Sequence, residues 1–567
     1  MMYRLRPNVE VPTSLEVTIG EKAIFSELLK MGHRKRIAIE TYPGVDKKIF
    51  IDEIQTHYSE YKVIDTDNLF LSKQKIFTII QDDLTEDQSF GRFSHKDFNE
   101  FFDFKKIKEH PFLQSIDENV IVIGVGAADI IHYDTLIYAD ITRWEVQLRY
   151  KKGLNNWMGY REEGFSEKLK RAYYFDWPAG DYRRSYLLDK SEYYIDATVS
   201  DRPKLIRTED LRTAVLTFTK QPFRLVPYFD PGIWGGDWMQ EKFSVGQDKI
   251  NLAWSFDGVP EENSIIANIN GIEVEMPAQV LVNMYPEKLL GNRVFGRYGR
   301  DFPIRFDFLD TMNGQNLSLQ VHPTIDYAYR KFGAKYTQDE SYYILDCKDD
   351  ACVYLGVKDQ TERDKLVASL EAAQESGSFD TEKFVNKFPV KKHDHLLIPA
   401  GTVHSSGRNC VVLEISSTPN RFTFKLWDWG RTDLDGKPRP IAIDHGKHVI
   451  NEKFDETFAR KELFNAITIL HEEETFTEEK TGLHELEAIE TRRLTFDKPI
   501  LQSTAGSVNM LNLVEGERII ITSPKDDFKP FEVFYGETFI IPEAIKEFIL
   551  TPDDENKPCK VMKAYIR

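Results

Sequence analysis

Leu317-Ser318-Leu319-Gln320-Val321-His322-Pro323 is the most informative stretch of this chain. Its alternation of apolar and polar residues predicts a strand, and the period of two places Gln320 and His322 on one face. Further along, Glu340 precedes the run Ser341-Tyr342-Tyr343-Ile344-Leu345, and His404 follows a Pro-Ala-Gly-Thr turn at 399–402. Two imidazoles, one carboxylate and one amide oxygen on neighbouring strands form a borderline nitrogen and oxygen donor set. Such a set suits zinc and leaves room for water or substrate.

A chain of 567 residues exceeds one hydrophobic core and predicts roughly three or four domains. Hydrophobic residues at 41% and charged residues at 29% are ordinary for a soluble globular protein. The net charge of −18 is spread over many segments, which argues against a nucleic-acid partner. Cys347, Cys352, Cys410 and Cys559 are scattered without the short paired spacing of a structural zinc site, and a reduced cytoplasmic protein is expected. Residues 1–12, MMYRLRPNVEVP, carry no apolar stretch behind their basic residues. No segment reaches the roughly 18 apolar residues of a membrane span, so neither secretion nor membrane insertion is expected.

In the N-terminal third, the run RKRIAIE (34–40) reads as a short strand, TYPGVDK (41–47) as a turn and KIFIDEIQTHYSEY (48–61) as an amphipathic helix. Further strands are expected at 63–67, 120–124 and 136–140, and alternating strands and helices favour an open α/β sheet. This layout resembles P-loop kinases of the uridine-kinase type. A working loop of that kind needs glycines, a lysine and a Ser or Thr. Here Thr41 and Asp46 stand at the two framework glycine positions, Lys48 replaces the hydroxyl, and Lys47 is retained. The resemblance therefore implies a degenerate P-loop domain over residues 1–200 that serves as a scaffold. Arg171, Arg183 and Arg184 could mimic a kinase lid but are read as surface or interdomain arginines, and 201–222 is read as a linker.

From Phe223 the pattern changes to short strand-like runs separated by Gly, Pro and Asp turns, predicting an all-β barrel or jelly roll. The segment 361–388 has helical periodicity and reads as an insertion. Ordered motifs run through this block: Pro231-Gly232-Ile233-Trp234-Gly235-Gly236, Ser264-Ile265-Ile266-Ala267-Asn268, Phe302-Pro303-Ile304, LSLQVHP (317–323), Tyr343-Ile344-Leu345-Asp346, Ile398-Pro399-Ala400-Gly401-Thr402-Val403-His404, and Leu426-Trp427-Asp428-Trp429-Gly430-Arg431. Together they resemble the type I mannose-6-phosphate isomerases, which are zinc-dependent cupins.

That resemblance implies a single Zn2+ held by Gln320, His322, Glu340 and His404. It also implies interconversion of an aldose and a ketose phosphate through an enediol, with Glu414 as general base and Lys425 and Arg431 contributing to the catalytic site. Three positions depart from the family's pattern. Asp307 and Gln338 stand where lysines are typical, and Lys425 stands where an arginine is expected. Arg305, Arg421 and Arg431 are candidate replacements, with Arg421 read as a surface residue. In the last block, Gly536-Glu537-Thr538-Phe539-Ile540-Ile541-Pro542 parallels the turn before His404 but lacks a following histidine.

The expected organisation is multidomain: an α/β P-loop-like domain followed by an all-β double cupin. Residues 223–450 form the catalytic cupin with its helical insert, and 451–567 form a metal-free second cupin. The expected function is a zinc-dependent sugar-phosphate isomerase, most simply mannose-6-phosphate to fructose-6-phosphate, with a small-molecule sugar phosphate as its partner. The alternatives are a non-catalytic sugar or sugar-phosphate sensor, an isomerase for a different sugar, and a bifunctional kinase and isomerase.

Overall fold

The computed structural model describes residues 1–12, 14–29, 35–115, 118–161, 163–417, 422–432, 436, 439–482, 485, 487–554 and 557–567. The chain divides into two compact units. One comprises Asn8–Phe218 with Ser264–Met284, and the other comprises Met1–Pro7, Thr219–Asn263 and Tyr285–Arg567.

The first unit is α/β. Its parallel strands lie in the spatial order Lys62–Asp65, Val120–Gly124, Arg36–Thr41, Thr135–Asp140 and Tyr193–Asp196, with Lys204–Arg207 and Thr18–Ile19 adding an antiparallel edge. The central strands are continuous apolar runs buried on both faces, as a helix-covered parallel sheet requires. The stretch expected as a linker contributes the strand Lys204–Arg207, paired on both sides, and the helix Thr208–Phe218, whose Leu211, Ala214, Val215 and Phe218 are buried. Its charges occupy the other helix face, which is why composition alone suggested a connector. The hairpin Ser264–Ile269 and Ile272–Pro277 also joins this unit, pairing with Val9–Glu10.

After strand Arg36–Thr41, the 41–47 loop leads into helix Lys48–His57. The Lys47 ammonium is held by Asp65 and by Asp67 at 2.7 Å. The three arginines read as surface residues are in fact buried. Arg183 bonds Glu40 and Asp129 at 2.7 Å, Arg184 bonds Asp140 at 2.8 Å and Asp181 at 2.7 Å, and Arg171 pairs with Asp176. Helix Trp177–Leu187 turns Arg183 and Arg184 inward toward carboxylates at the strand ends, where partners offset the desolvation of a charge.

The second unit is built from antiparallel sheets. A six-stranded sheet (Tyr228–Asp230, Trp254–Gly258, Arg305–Asp310, Cys410–Ser416, Glu340–Cys347, His395–Ile398) shares a core with a five-stranded one (Phe424–Trp427, Leu319–Val321, His404–Ser406, Cys352–Val357, Val385–Pro389). Leu309, Tyr342, Ile344, Leu396 and Val412 from the first sheet pack against Val353 and Leu355 from the second. The expected helical insert is helix only over Arg363–Ser376 and Thr381–Phe384, because 385–389 pairs as a strand with Cys352–Val357.

Residues beyond 467 form a second pair of sheets, of six and four strands, around Phe496, Leu511, Ile521, Phe539 and Phe548. Ala459 and Leu463, expected in the last block, pack into the preceding core instead. Among the described residues, no helix is long and apolar enough to cross a membrane.

Candidate metal centre

Gln320 and His404 are direct cross-strand partners, so their side chains share a face, and period two adds His322. The strand ends at Val321, just before His322 and Pro323, and Thr324 caps the helix Ile325–Phe332 that follows. Glu340 begins a strand of the facing sheet. Its carboxylate spans the gap, with Oε2 3.1 Å from His322 Nε2 and Oε1 2.8 Å from His404 Nε2. All three residues are essentially buried, and their ligand atoms lie within 4.8 Å of one another.

The chemistry of this donor set fits a cation. Each imidazole faces a backbone carbonyl through Nδ1: His322 to Phe422 and His404 to Thr402, both at 2.9 Å. A carbonyl only accepts, so each Nδ1 carries the hydrogen and each Nε2 points a lone pair at the Glu340 carboxylate. His322 Nε2 and Glu340 Oε1 accordingly have no hydrogen-bond partner. Converging lone pairs need either extra protons or a metal ion between them. Burial opposes charge on Glu340, and only positive charge beside it, on protonated His322 and His404 or on a cation in their place, holds its carboxyl well below the usual range. The Gln320 amide lies 3.2 Å from His404 Nε2. An amide flip would turn its oxygen to the same point.

Strand register defines the wall opposite. Asp307 pairs with Glu414, Glu414 with Tyr342, and Ser416 with both Glu340 and Arg305. Arg305, Asp307, Glu340, Tyr342, Glu414 and Ser416 therefore share one face, continuous with the apolar core at Leu309, Ile344 and Val412. Asp307 is fully buried, both its oxygens lack hydrogen-bond partners, and burial pushes its carboxyl up to about 6. Arg305 Nε lies 3.3 Å from Asp307, an ion pair without hydrogen-bond alignment. Burial, reinforced by Asp307 and Glu340, raises Glu414 well above the usual range. Gln338 is buried and donates to Glu340 Oε2 at 3.1 Å.

The structure thus brings together Gln320, His322, Glu340, His404 and Glu414. Lys425 is the cross-strand partner of Gln320, which places it on the same face. Arg431 is engaged elsewhere. Its guanidinium bonds Asp428 at 2.6 Å and the Asn316 carbonyl at 2.7 Å, locking the turn after Trp427. Arg421 lies outside the described residues. Tyr342 and Ser416 escaped the sequence reading, although each lies two residues beyond Glu340 or Glu414 and alternation alone points to them.

A family model described as a domain of unknown function (DUF8485) matches residues 20–220. The chain is 27% identical over 234 residues to mannose-6-phosphate isomerase ManA of Bacillus subtilis (strain 168), covering 41% of this chain and 69% of that one. It is 25% identical over 232 residues to the mannose-6-phosphate isomerase of Streptococcus mutans serotype c, covering 41% and 68%. It spans about two thirds of the length of the curated relatives it matches. Among solved structures, the mannose 6-phosphate isomerase from Bacillus subtilis superposes with a TM-score of 0.50 at 19% identity, covering 61% of this chain and 99% of that one. Part of the chain therefore has the fold of such isomerases.

Proposed function

We propose that this chain is a zinc-dependent aldose–ketose isomerase of sugar phosphates, with mannose-6-phosphate and fructose-6-phosphate as its substrate pair. The observation that carries this reading is the convergence of two imidazole lone pairs and a carboxylate at one point, facing a wall that presents Glu414. Gln320, His322, Glu340 and His404 would hold the ion in the first of two cupins, with the second, metal-free cupin behind it. Bound there, Zn2+ supplies Lewis acidity toward the carbonyl and hydroxyl oxygens of an open-chain sugar.

The chain's own residues account for the proton transfer. Glu414 takes the proton from C2 of the aldose and returns it to C1 while the O2 hydroxyl proton passes to O1, so atoms and charge balance over the cycle. Burial, Asp307 and Glu340 raise this carboxyl well above the usual range, which makes it a stronger base than an exposed carboxylate. Tyr342, with its hydroxyl unpartnered beside the His404 ring, can donate to a sugar oxygen. Lys425 can place an anionic substituent as a point charge.

A second reading, an isomerase for a sugar without phosphate, is favoured by one observation: Asp307 presents a carboxylate on the wall facing the metal ligands. Assaying the zinc-loaded protein on mannose-6-phosphate and on unphosphorylated mannose separates the two. Turnover of neither substrate sinks both readings and leaves a binding or sensor role.

For the α/β unit we propose a degenerate P-loop scaffold. The parallel order, in which the first strand lies between the third and fourth of the chain, and the loop holding Lys47 support the resemblance. The two carboxylates on Lys47 oppose phosphate binding. Heat of ATP–magnesium binding at millimolar concentration would overturn this assignment and revive the bifunctional alternative.

A further inference from the structure

Strand alternation that turns Glu340 and Glu414 toward the metal ligands turns Ser341 and Ile415 to the other side of the same sheet. On that side lies a cavity of about 310 Å³, walled by Ser341 and Ile415, by Tyr298 and Tyr336, and by Glu487 and Thr491. Its volume sits at the small end of the range of about 300–1,000 Å³ typical of ligand pockets. Glu487 is the informative residue. It is only 7% exposed, and its Oε1 is buried without any hydrogen-bond partner. A buried polar atom left unmatched is destabilising unless a ligand in the adjoining cavity meets it.

We infer that this cavity is a second binding site, back to back with the metal centre, for an uncharged polyhydroxylated molecule of about monosaccharide size. The chemistry of the lining selects that class. The Glu487 Oε1 has no partner, and the Ser341 and Thr491 hydroxyls, which donate to the Ile415 and Gly482 carbonyls, keep acceptor capacity that polyol hydroxyls can meet. The rings of Tyr298 and Tyr336 meet edge to face, with centroids 5.4 Å apart, and offer an apolar platform for the C–H face of a sugar. An anion would meet the Asp339 carboxylate and an ammonium the Arg297 guanidinium, the cationic side chain among the described lining residues, so neither charge is favoured. Asp339 and Ser341 flank Glu340 in the chain, so an occupant of the cavity would bear on the strand that carries a metal ligand. The proposal does not depend on isomerase activity.

The test is calorimetric titration of the full chain with glucitol, mannose, inorganic phosphate and ethanolamine, repeated on His404→Ala, Glu487→Leu and Ala488→Phe. Glucitol and mannose should bind saturably, phosphate and ethanolamine should not, and His404→Ala should retain the binding. Glu487→Leu should weaken it at least about tenfold, the equivalent of one lost hydrogen bond, while melting at or above the parent temperature, because it removes an unmatched polar atom. A purely structural glutamate would instead lower the melting temperature on replacement. Ala488 also lines the cavity, so Ala488→Phe, which narrows it, should abolish binding and covers the case in which Glu487→Leu does not fold. The proposal is overturned by absence of saturable polyol binding, by binding lost in His404→Ala, by binding unchanged in Ala488→Phe, or by preference for phosphate or ethanolamine.

Discussion

Asp307 and Glu414 are direct cross-strand partners, two buried carboxyl groups side by side on the wall that faces His322 and His404. Arg305 lies beside them, so with the ligand Glu340 the wall mixes three acids and one guanidinium instead of presenting a cationic surface. This arrangement makes substrate charge the most sensitive property of the site.

Replacing Asp307 by Asn should therefore favour a phosphorylated sugar over a plain one. The expected change is a fall of about tenfold in KM for mannose-6-phosphate relative to mannose, the size of a relieved like-charge contact. Steady-state kinetics on both sugars measure it. Equal changes for the two would place Asp307 away from the phosphate.

Glu414→Gln keeps the shape of the side chain and removes its proton-accepting form. Turnover should fall by about 10²–10⁴-fold, while zinc content measured by plasma mass spectrometry stays at the parent level. A loss of zinc with turnover would make Glu414 a structural support of the ligands.

How much of this could be read from the sequence depends on how local each signal is. Period-two alternation and the Pro399–Thr402 turn located Gln320, His322 and His404, because strand geometry fixes where neighbouring side chains point. Arg431 misled because its position reflects a turn. Trp429 and Gly430 both have positive φ, at 57° and 67°, and that reversal folds Arg431 back onto Asp428. The 201–222 segment misled for a different reason: an amphipathic edge helix with one charged face has the composition of a connector. Register across Asp307, Glu414 and Tyr342 is a long-range relationship that no local pattern encodes.

The acid response of the β-rich unit should trace in part to His395. It is fully buried with Nδ1 against the Thr481 carbonyl, and burial lowers its pKa from 6.5 to about 4. Because the folded value lies below the unfolded one, the unfolded chain takes up the proton first. Stability is therefore full above about pH 6.5 and declines as pH falls toward 4, by roughly 3 kcal/mol for this residue. Urea unfolding at pH 7 and pH 4.5 should show a smaller difference for His395→Leu than for the parent.

In the α/β unit, Arg184→Ala should cost about 3–5 kcal/mol, because it strands the buried Asp140 carboxylate. Thermal or urea unfolding reads this directly. An effect below about 1 kcal/mol, the range of an exposed pair, would mean the ion pair is solvated.

The most direct test loads the full chain with zinc and follows conversion of mannose-6-phosphate to fructose-6-phosphate in a coupled assay, beside a His404→Ala control. The account predicts bound zinc and turnover in the parent, with loss of both in the control. Parent protein that binds zinc yet turns over neither mannose-6-phosphate nor mannose faster than the control would contradict it.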